Sequence, residues 1–114
     1  MFPLRGEIYW VSLDPTKGSE QGKTRPCVVI QNDIGNQFSP TTIIAPVTSQ
    51  LSEKEYPHEV VVTAQESGLG KAGVVLLGQI RCVDKSRLSK RISKLPGELM
   101  KKINNAIKVS LDLE

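Results

Sequence analysis

The stretch "SKRISKLPGELMKKINNAIKVSL" (89–111) changes period in its middle. Up to Leu95 polar and apolar residues alternate, as in a strand whose lysines guard a sheet edge. From Pro96 onward Leu99, Met100, Ile103, Ala106, Ile107, Ser110 and Leu111 recur at helical spacing, with Lys101, Lys102, Asn104, Asn105 and Lys108 left outside. Pro96 suits the first helical position and Glu98 the positive start of a helix. The chain therefore ends on a strand followed by an amphipathic helix. What precedes is β-rich. The runs "EIYWVSL" (7–13), "PCVVIQN" (26–32), "TTIIAPV" (41–47), "HEVVV" (58–62) and "GVVLLGQIRCV" (73–83) are Val- and Ile-rich and bounded by turn residues. Single helical turns are expected over 33–37 and 64–68. The fold class is mainly β with α: five or six short strands in a small, strongly curved sheet or barrel, with one C-terminal helix packed on it.

At 114 residues the chain is one domain, 1–114, able to bury a core without metal or disulfide staples. No apolar run approaches the roughly 18 residues that cross a bilayer, and "MFPLRGEIYW" lacks a signal-peptide layout, so a cytoplasmic protein without membrane contact is expected. Cys27 and Cys82 sit in apolar runs and read as reduced core thiols, without zinc-like pairing. Charge is uneven. Residues 79–114 carry nine Lys/Arg against four Asp/Glu, a balance of +5, whereas residues 1–78 carry six against eight, a balance of −2. A basic C-terminal third can attract a polyanion such as nucleic acid, although a solvated lysine-rich face gives the same signal.

Two connections are long for so small a domain: Asp14 to Thr24, containing "DPTKGSEQGKT", and "TSQLSEKEYP" (48–57). Long loops on a rigid sheet commonly carry sites. The residue inventory narrows their chemistry. His58 is the only histidine, so one chain cannot assemble a two-histidine ribonuclease or a His-rich metal site. The carboxylates are scattered, with no cluster to clamp magnesium, and no P-loop, nucleophile elbow or dinucleotide fingerprint occurs. An enzyme built from this set works with arginine, hydroxyls and amides, without metal or cofactor. Arg25 opens the strand after the first loop, beside Pro26, and is placed to fork onto a phosphate; equally, its stem can cover the sheet rim with its head in water. Thr48 closes the strand that opens the second loop, where a turn-forming role is the plain alternative. Trp10, in mid-strand, reads as core, while Phe38 and Tyr56 on loops are free either to stack on bases or to pack beneath a loop.

"RGEIYWVSLDPTKGSEQGKTRPCVVIQND" (5–33), "APVTSQ" (45–50), "YPHEV" (56–60) and "GQIRCVDKSRL" (78–88) resemble, in order and nearly end to end, the MazF/PemK family of toxin endoribonucleases. The resemblance implies a homodimeric, SH3-like β-barrel of the CcdB/PemK type with a C-terminal helix. It implies metal-independent, sequence-specific cleavage of single-stranded RNA, chiefly mRNA, to 2′,3′-cyclic phosphate and 5′-hydroxyl ends. It also implies a cognate MazE-like antitoxin whose disordered tail covers the RNA groove. Carried over position by position, the catalytic arginine falls on Arg25 and the catalytic threonine on Thr48. Ser19, Glu20, Gln21 and Gly22 fall on the loop bordering the RNA, and Asn32, Ser49 and Gln79 on groove positions. Gly78 stands where relatives often carry an acidic residue, and Lys23 where they often carry a small one. The segment 18–26 reads as a mobile flap over the groove. Two other readings share this fold: a non-enzymatic, CcdB-like poison of DNA gyrase, and an inactive relative kept as an antitoxin-binding module.

Overall fold

The computed structural model describes residues 2–114 and bears out a mainly β fold with a terminal helix. Seven strands, β1 (Glu7–Ser12), β2 (Thr24–Val29), β3 (Thr41–Thr48), β4 (Glu59–Val62), β5 (Gly73–Leu76), β6 (Arg81–Asp84) and β7 (Leu88–Lys94), are joined by short helices α1 (Asp33–Phe38) and α2 (Ala64–Ser67), and α3 (Gly97–Ser110) closes the chain. All pairings are antiparallel, in the order β4–β5–β3–β2–β1–β7, with β6 also on β3. The end strands β4 and β7 do not pair with each other, so the sheet stays open instead of closing into a full barrel.

β3 is the hub. One edge takes β2, and the other takes β6 along Thr41–Ile44 and then β5 along Val47–Thr48. The run 73–83, expected as one strand, is therefore two. Leu77–Gln79 form a 3-10 turn between them, opposite the stretch of β3 that holds Pro46. Proline offers no N–H to either neighbour, so the ladder changes hands there and the intervening residues are extruded. Gly78 and Gln79 reach the surface through that break.

Alternation along the strands produces two apolar faces. Ile8, Val28, Ala45, Val47, Val60, Val62, Val75 and Leu77 join Leu95 and the Leu99–Ile103–Ala106 stripe of α3 in the larger cluster. The opposite face carries the smaller cluster of Val11, Leu13, Cys27, Val29, Ile44 and Val83. Ser110 Oγ donates to Leu77 O at 2.8 Å and pins the helix to the extruded turn. Four expectations need correction. Pro96 precedes α3 at the capping position instead of occupying its first turn, and Leu111 lies beyond the last helical residue, 55% exposed. Cys82 points outward from β6, and Trp10 is 37% exposed, because the larger cluster on its face of the sheet takes in Ile8 but does not extend to it.

The short helices rest on caps. Asn32 Oδ1 accepts from Gly35 N at 2.8 Å, and Thr63 and Glu66 form a reciprocal capping box at α2. Asn36, fully buried, fills the space between α1 and β3: its Oδ1 accepts from Thr42 Oγ1 at 2.7 Å and Gln31 Nε2 at 3.1 Å, and its Nδ2 donates to Gln31 O at 3.0 Å. Glu7, 6% exposed, pairs with Arg91 of the adjacent β7 and accepts from Leu4 N at 2.6 Å.

Candidate active site

The β2–β3 ladder pairs Cys27 with Pro46, Val28 with Ala45 and Val29 with Ile44. Continued toward the end of the sheet, this register sets Pro26 opposite Val47 and Arg25 opposite Thr48. Facing residues of an antiparallel pair stand about 4.5–5.5 Å apart at Cβ. The two residues singled out in the sequence, 23 positions apart, thus share one rung.

Arg25 Nε donates to Gly22 O at 2.9 Å. Among the described residues Arg25 makes no ion pair, and its two terminal nitrogens are left without a protein acceptor. Thr48 is 7% exposed, and its Oγ1 accepts from Gln50 N at 3.2 Å, so the hydroxyl proton is still available for donation. Arg81 lies on the same face of the sheet and donates to Leu13 O at 2.9 Å; Arg87 donates to Ser12 O at 3.0 Å and Asp14 O at 2.6 Å. Both are bonded to carbonyls and make no ion pair among the described residues; the charge of Arg87 acts on nearby Asp84, whereas that of Arg81 adds to the positive potential around the rung.

Burial pushes the Cys27 thiol, beneath this rung, up to about 12, against the opposing pull of the positive charges on Arg81 and then Arg25. The unfolded chain sheds this proton near the ordinary value of 9.0 while the folded chain keeps it. Stability from this group is therefore complete below that value and is lost as pH rises toward the folded one. In that window wild type should lose about 1.4 kcal/mol more per pH unit than Cys27→Ala, measured as the difference between the slopes of urea-melt stability against pH.

The first loop is a folded unit. Lys17 and Glu20 bond reciprocally, N–H to Oε1 at 2.5 Å and N–H to O at 3.1 Å, and Asp14 Oδ1 accepts from Lys23 N at 2.8 Å. Gly22 is required by close approach: a Cβ there would lie 2.6 Å from Thr16 Oγ1 and 2.8 Å from Asp14 Oδ1. Lys23 adopts φ +63°, a region that favours glycine. Gln79, from the extruded turn, accepts from Gln21 N at 2.8 Å and clips the loop to the sheet.

Two clefts flank the rung. One, about 360 Å³, is lined by Ser19, Glu20 and Gln21 together with Leu13, Pro46, Gly78, Gln79, Ile80 and Arg81. The other, about 230 Å³, is lined by Arg25, Thr48 and Ser49 together with Trp10, Thr24, Pro26, Val47, Leu69, Lys71, Ala72 and Gly73. Of the residues expected at the site, Ser19, Glu20, Gln21 and Gln79 line the first cleft and Arg25, Thr48 and Ser49 the second, with Gly22 bonded through its carbonyl to Arg25. Asn32 stands apart: it follows the other end of β2 and caps α1. Sequence reasoning missed Trp10, Lys71 and Arg81. For Trp10 no signal was available, since its facing Pro26 is a matter of the β1–β2 register. Tyr56 and Phe38 are 43% and 76% exposed but line neither cleft. Glu20 is the only carboxylate in either cleft, and among the described residues no three His, Cys, Asp or Glu side chains cluster as metal ligands.

Known proteins share this sequence and this fold over nearly the whole chain. The chain is 46% identical over 113 residues to endoribonuclease EndoA of Bacillus subtilis, covering 99% of this chain and 97% of the relative. It is 45% identical over 109 residues to endoribonuclease MazF of Staphylococcus saprophyticus, covering 96% and 91%. A crystal structure of MazF from Deinococcus radiodurans superposes with a TM-score of 0.84 at 29% identity, covering 99% of each chain, and a MazE–MazF structure from the same organism with 0.78 at 25%, covering 100% and 99%. A family description, "PemK-like, MazF-like toxin of type II toxin-antitoxin system", matches residues 4–111. With agreement of this extent in sequence and in fold, the chain belongs to the MazF/PemK toxin family.

Proposed function

We propose that this chain, as a single toxin domain over 1–114, is a sequence-specific endoribonuclease that cuts single-stranded RNA without a metal ion. The observation that carries the reading is an arginine with free terminal nitrogens lining one cleft with a threonine whose proton is free. The names of the relatives, both endoribonucleases, support it.

The chemistry follows from that pair. The 2′-hydroxyl attacks the adjacent phosphorus, the P–O5′ bond breaks, and a 2′,3′-cyclic phosphate and a 5′-hydroxyl result. Negative charge grows on the non-bridging oxygens during this step, so a fixed guanidinium stabilises the transition state more than the ground state. An arginine keeps its proton at neutral pH, which assigns Arg25 to electrostatics and not to base catalysis. Thr48 donates its hydroxyl hydrogen to a phosphate oxygen. In a duplex, stacking holds the 2′-oxygen away from the in-line position, whereas an unpaired strand can splay its bases toward the amides of Gln79 and Gln21. Ser19, Glu20, Gly22 and Ser49 border that path, while Asn32 reaches it only if the RNA extends past α1.

Glu20 Oε1 is held by the Lys17 N–H and the side chain is exposed, which favours water over Glu20 as the acceptor of the 2′-proton. Glu20→Gln should change the single-turnover rate by less than about tenfold; a loss of roughly 10²-fold or more would make Glu20 the base.

The protein acts as a homodimer in the cytoplasm, restrained by a MazE-like antitoxin. The support is the MazE–MazF assembly among its structural neighbours; no helix among the described residues is long and apolar enough to cross a membrane. Incubating the protein with a long RNA in EDTA and sequencing the 5′-hydroxyl ends tests the reading. Cuts at one recurring sequence support it. Intact RNA overturns it, and DNA breaks that require gyrase would point to the non-enzymatic poison.

A further inference from the structure

The Arg25–Thr48 rung has a neighbour that the reaction above does not use. Trp10 faces Pro26 on β2, and the β2–β3 register carried one step past Cys27–Pro46 sets Pro26 opposite Val47; all three line one cleft. Side chains on successive rungs point to opposite faces. Arg25 and Thr48 therefore project to one side of the sheet's end and Trp10 to the other, yet all three line one cleft, which wraps around that end. Lys71 lines the same cleft, and no carboxylate does. An indole 37% exposed beside a proline, in a cleft holding two cations and hydroxyls and no acid, has the composition of a nucleotide subsite.

We propose that Trp10 and Lys71 hold the nucleotide next to the cleaved phosphate. The strand crosses the end of the sheet, its scissile phosphate on the Arg25–Thr48 rung. The adjoining base turns over the rim and stacks on the indole, and Lys71 pairs with the following phosphate. Gly73 keeps the wall close: a Cβ there would lie 2.9 Å from Val47 Cγ1 and 3.0 Å from Thr48 O. This subsite rests on the endoribonuclease reading and deepens it.

Trp10 is the only tryptophan, so its emission reports the subsite directly. The probe is an RNA oligonucleotide carrying the mapped cut sequence, 2′-O-methylated throughout so that it binds without reacting. Wild-type emission should change saturably on titration. Loss of a base–aromatic stack should appear in Trp10→Leu as a KM raised about tenfold or more, with kcat changed far less, and Trp10→Phe should recover most of the loss. Lys71→Ala should lower the slope of log affinity against log salt by about 1. Thermal melts of each variant separate lost folding from lost binding, and Lys71, being exposed, provides a variant that folds. If wild type cuts RNA but its emission ignores the probe, and neither KM in Trp10→Leu nor the Lys71 salt slope moves, the subsite is wrong and the nuclease reading stands. If wild type cuts no RNA, the underlying reading itself has failed.

Discussion

Arg25→Ala is expected to cut RNA about 10²–10³-fold more slowly than wild type, the typical loss when a fixed donor to a developing oxyanion is removed. Almost all of this should appear in kcat, because charge on the non-bridging oxygens is greater in the transition state than in bound substrate. Stability should barely move. The guanidinium makes one hydrogen bond, to Gly22 O, and no ion pair among the described residues. Arg25→Lys should recover only part of the rate, since an ammonium restores charge but not the planar fork. Single-turnover cleavage with a matched thermal melt checks both halves. Wild-type rates in Arg25→Ala would remove the residue from the chemistry.

Asn36→Ala should be the most destabilising of the polar substitutions considered, by about 2–4 kcal/mol. The amide is fully buried and serves both Gln31 and the equally buried Thr42, whose hydroxyl donates to it at 2.7 Å. Truncation leaves that hydroxyl and Gln31 O without their partner in a space that α1 and β3 cannot easily collapse. Asn36→Asp should also destabilise, because Asp33 lies beside Asn36 Nδ2 at 3.3 Å and a second carboxylate would face it. Thr42→Val in the Asn36→Ala background should recover part of the loss by removing the stranded hydroxyl. Urea melts of the single and double variants measure this coupling. The cleavage rate of the folded Asn36→Ala fraction should be unchanged, since the network stands at the far end of β2 from Arg25.

The strands and α3 were legible because their signals are local. Val and Ile runs bounded by turn residues mark strands, and the Leu99–Ile103–Ala106 spacing marks a helix that needs one apolar surface to rest on. The break at Leu77–Gln79 was not legible, since nothing in "GVVLLGQIRCV" itself interrupts a strand. Its cause is on another strand, at Pro46, and becomes visible only once β3 is known to be shared by β5 and β6. Arg25 and Thr48 could be nominated singly from their places at strand ends, but their sharing a rung depends on the β2–β3 register. Trp10 was misread for a related reason. Mid-strand position implies burial only where something packs over that face of the sheet, and the helix-backed cluster takes in Ile8 but not Trp10. Cys82 and Leu111 failed on finer points, one alternating outward and one falling just past the helix end.

The tethers of the first loop have a consequence for when the protein becomes active. Arg81 and Arg87, which fasten Leu13, Ser12 and Asp14, lie 68 to 75 positions later in the chain than the residues they hold. Gln79, which clips Gln21, lies 58 positions later. A nascent chain that has released Arg25 and Thr48 from the ribosome still lacks every one of these fastenings. The loop can take its final shape only after the last third has been made. Under the proposed activity, a chain assembled in this order would leave its own message uncut until its synthesis is all but finished.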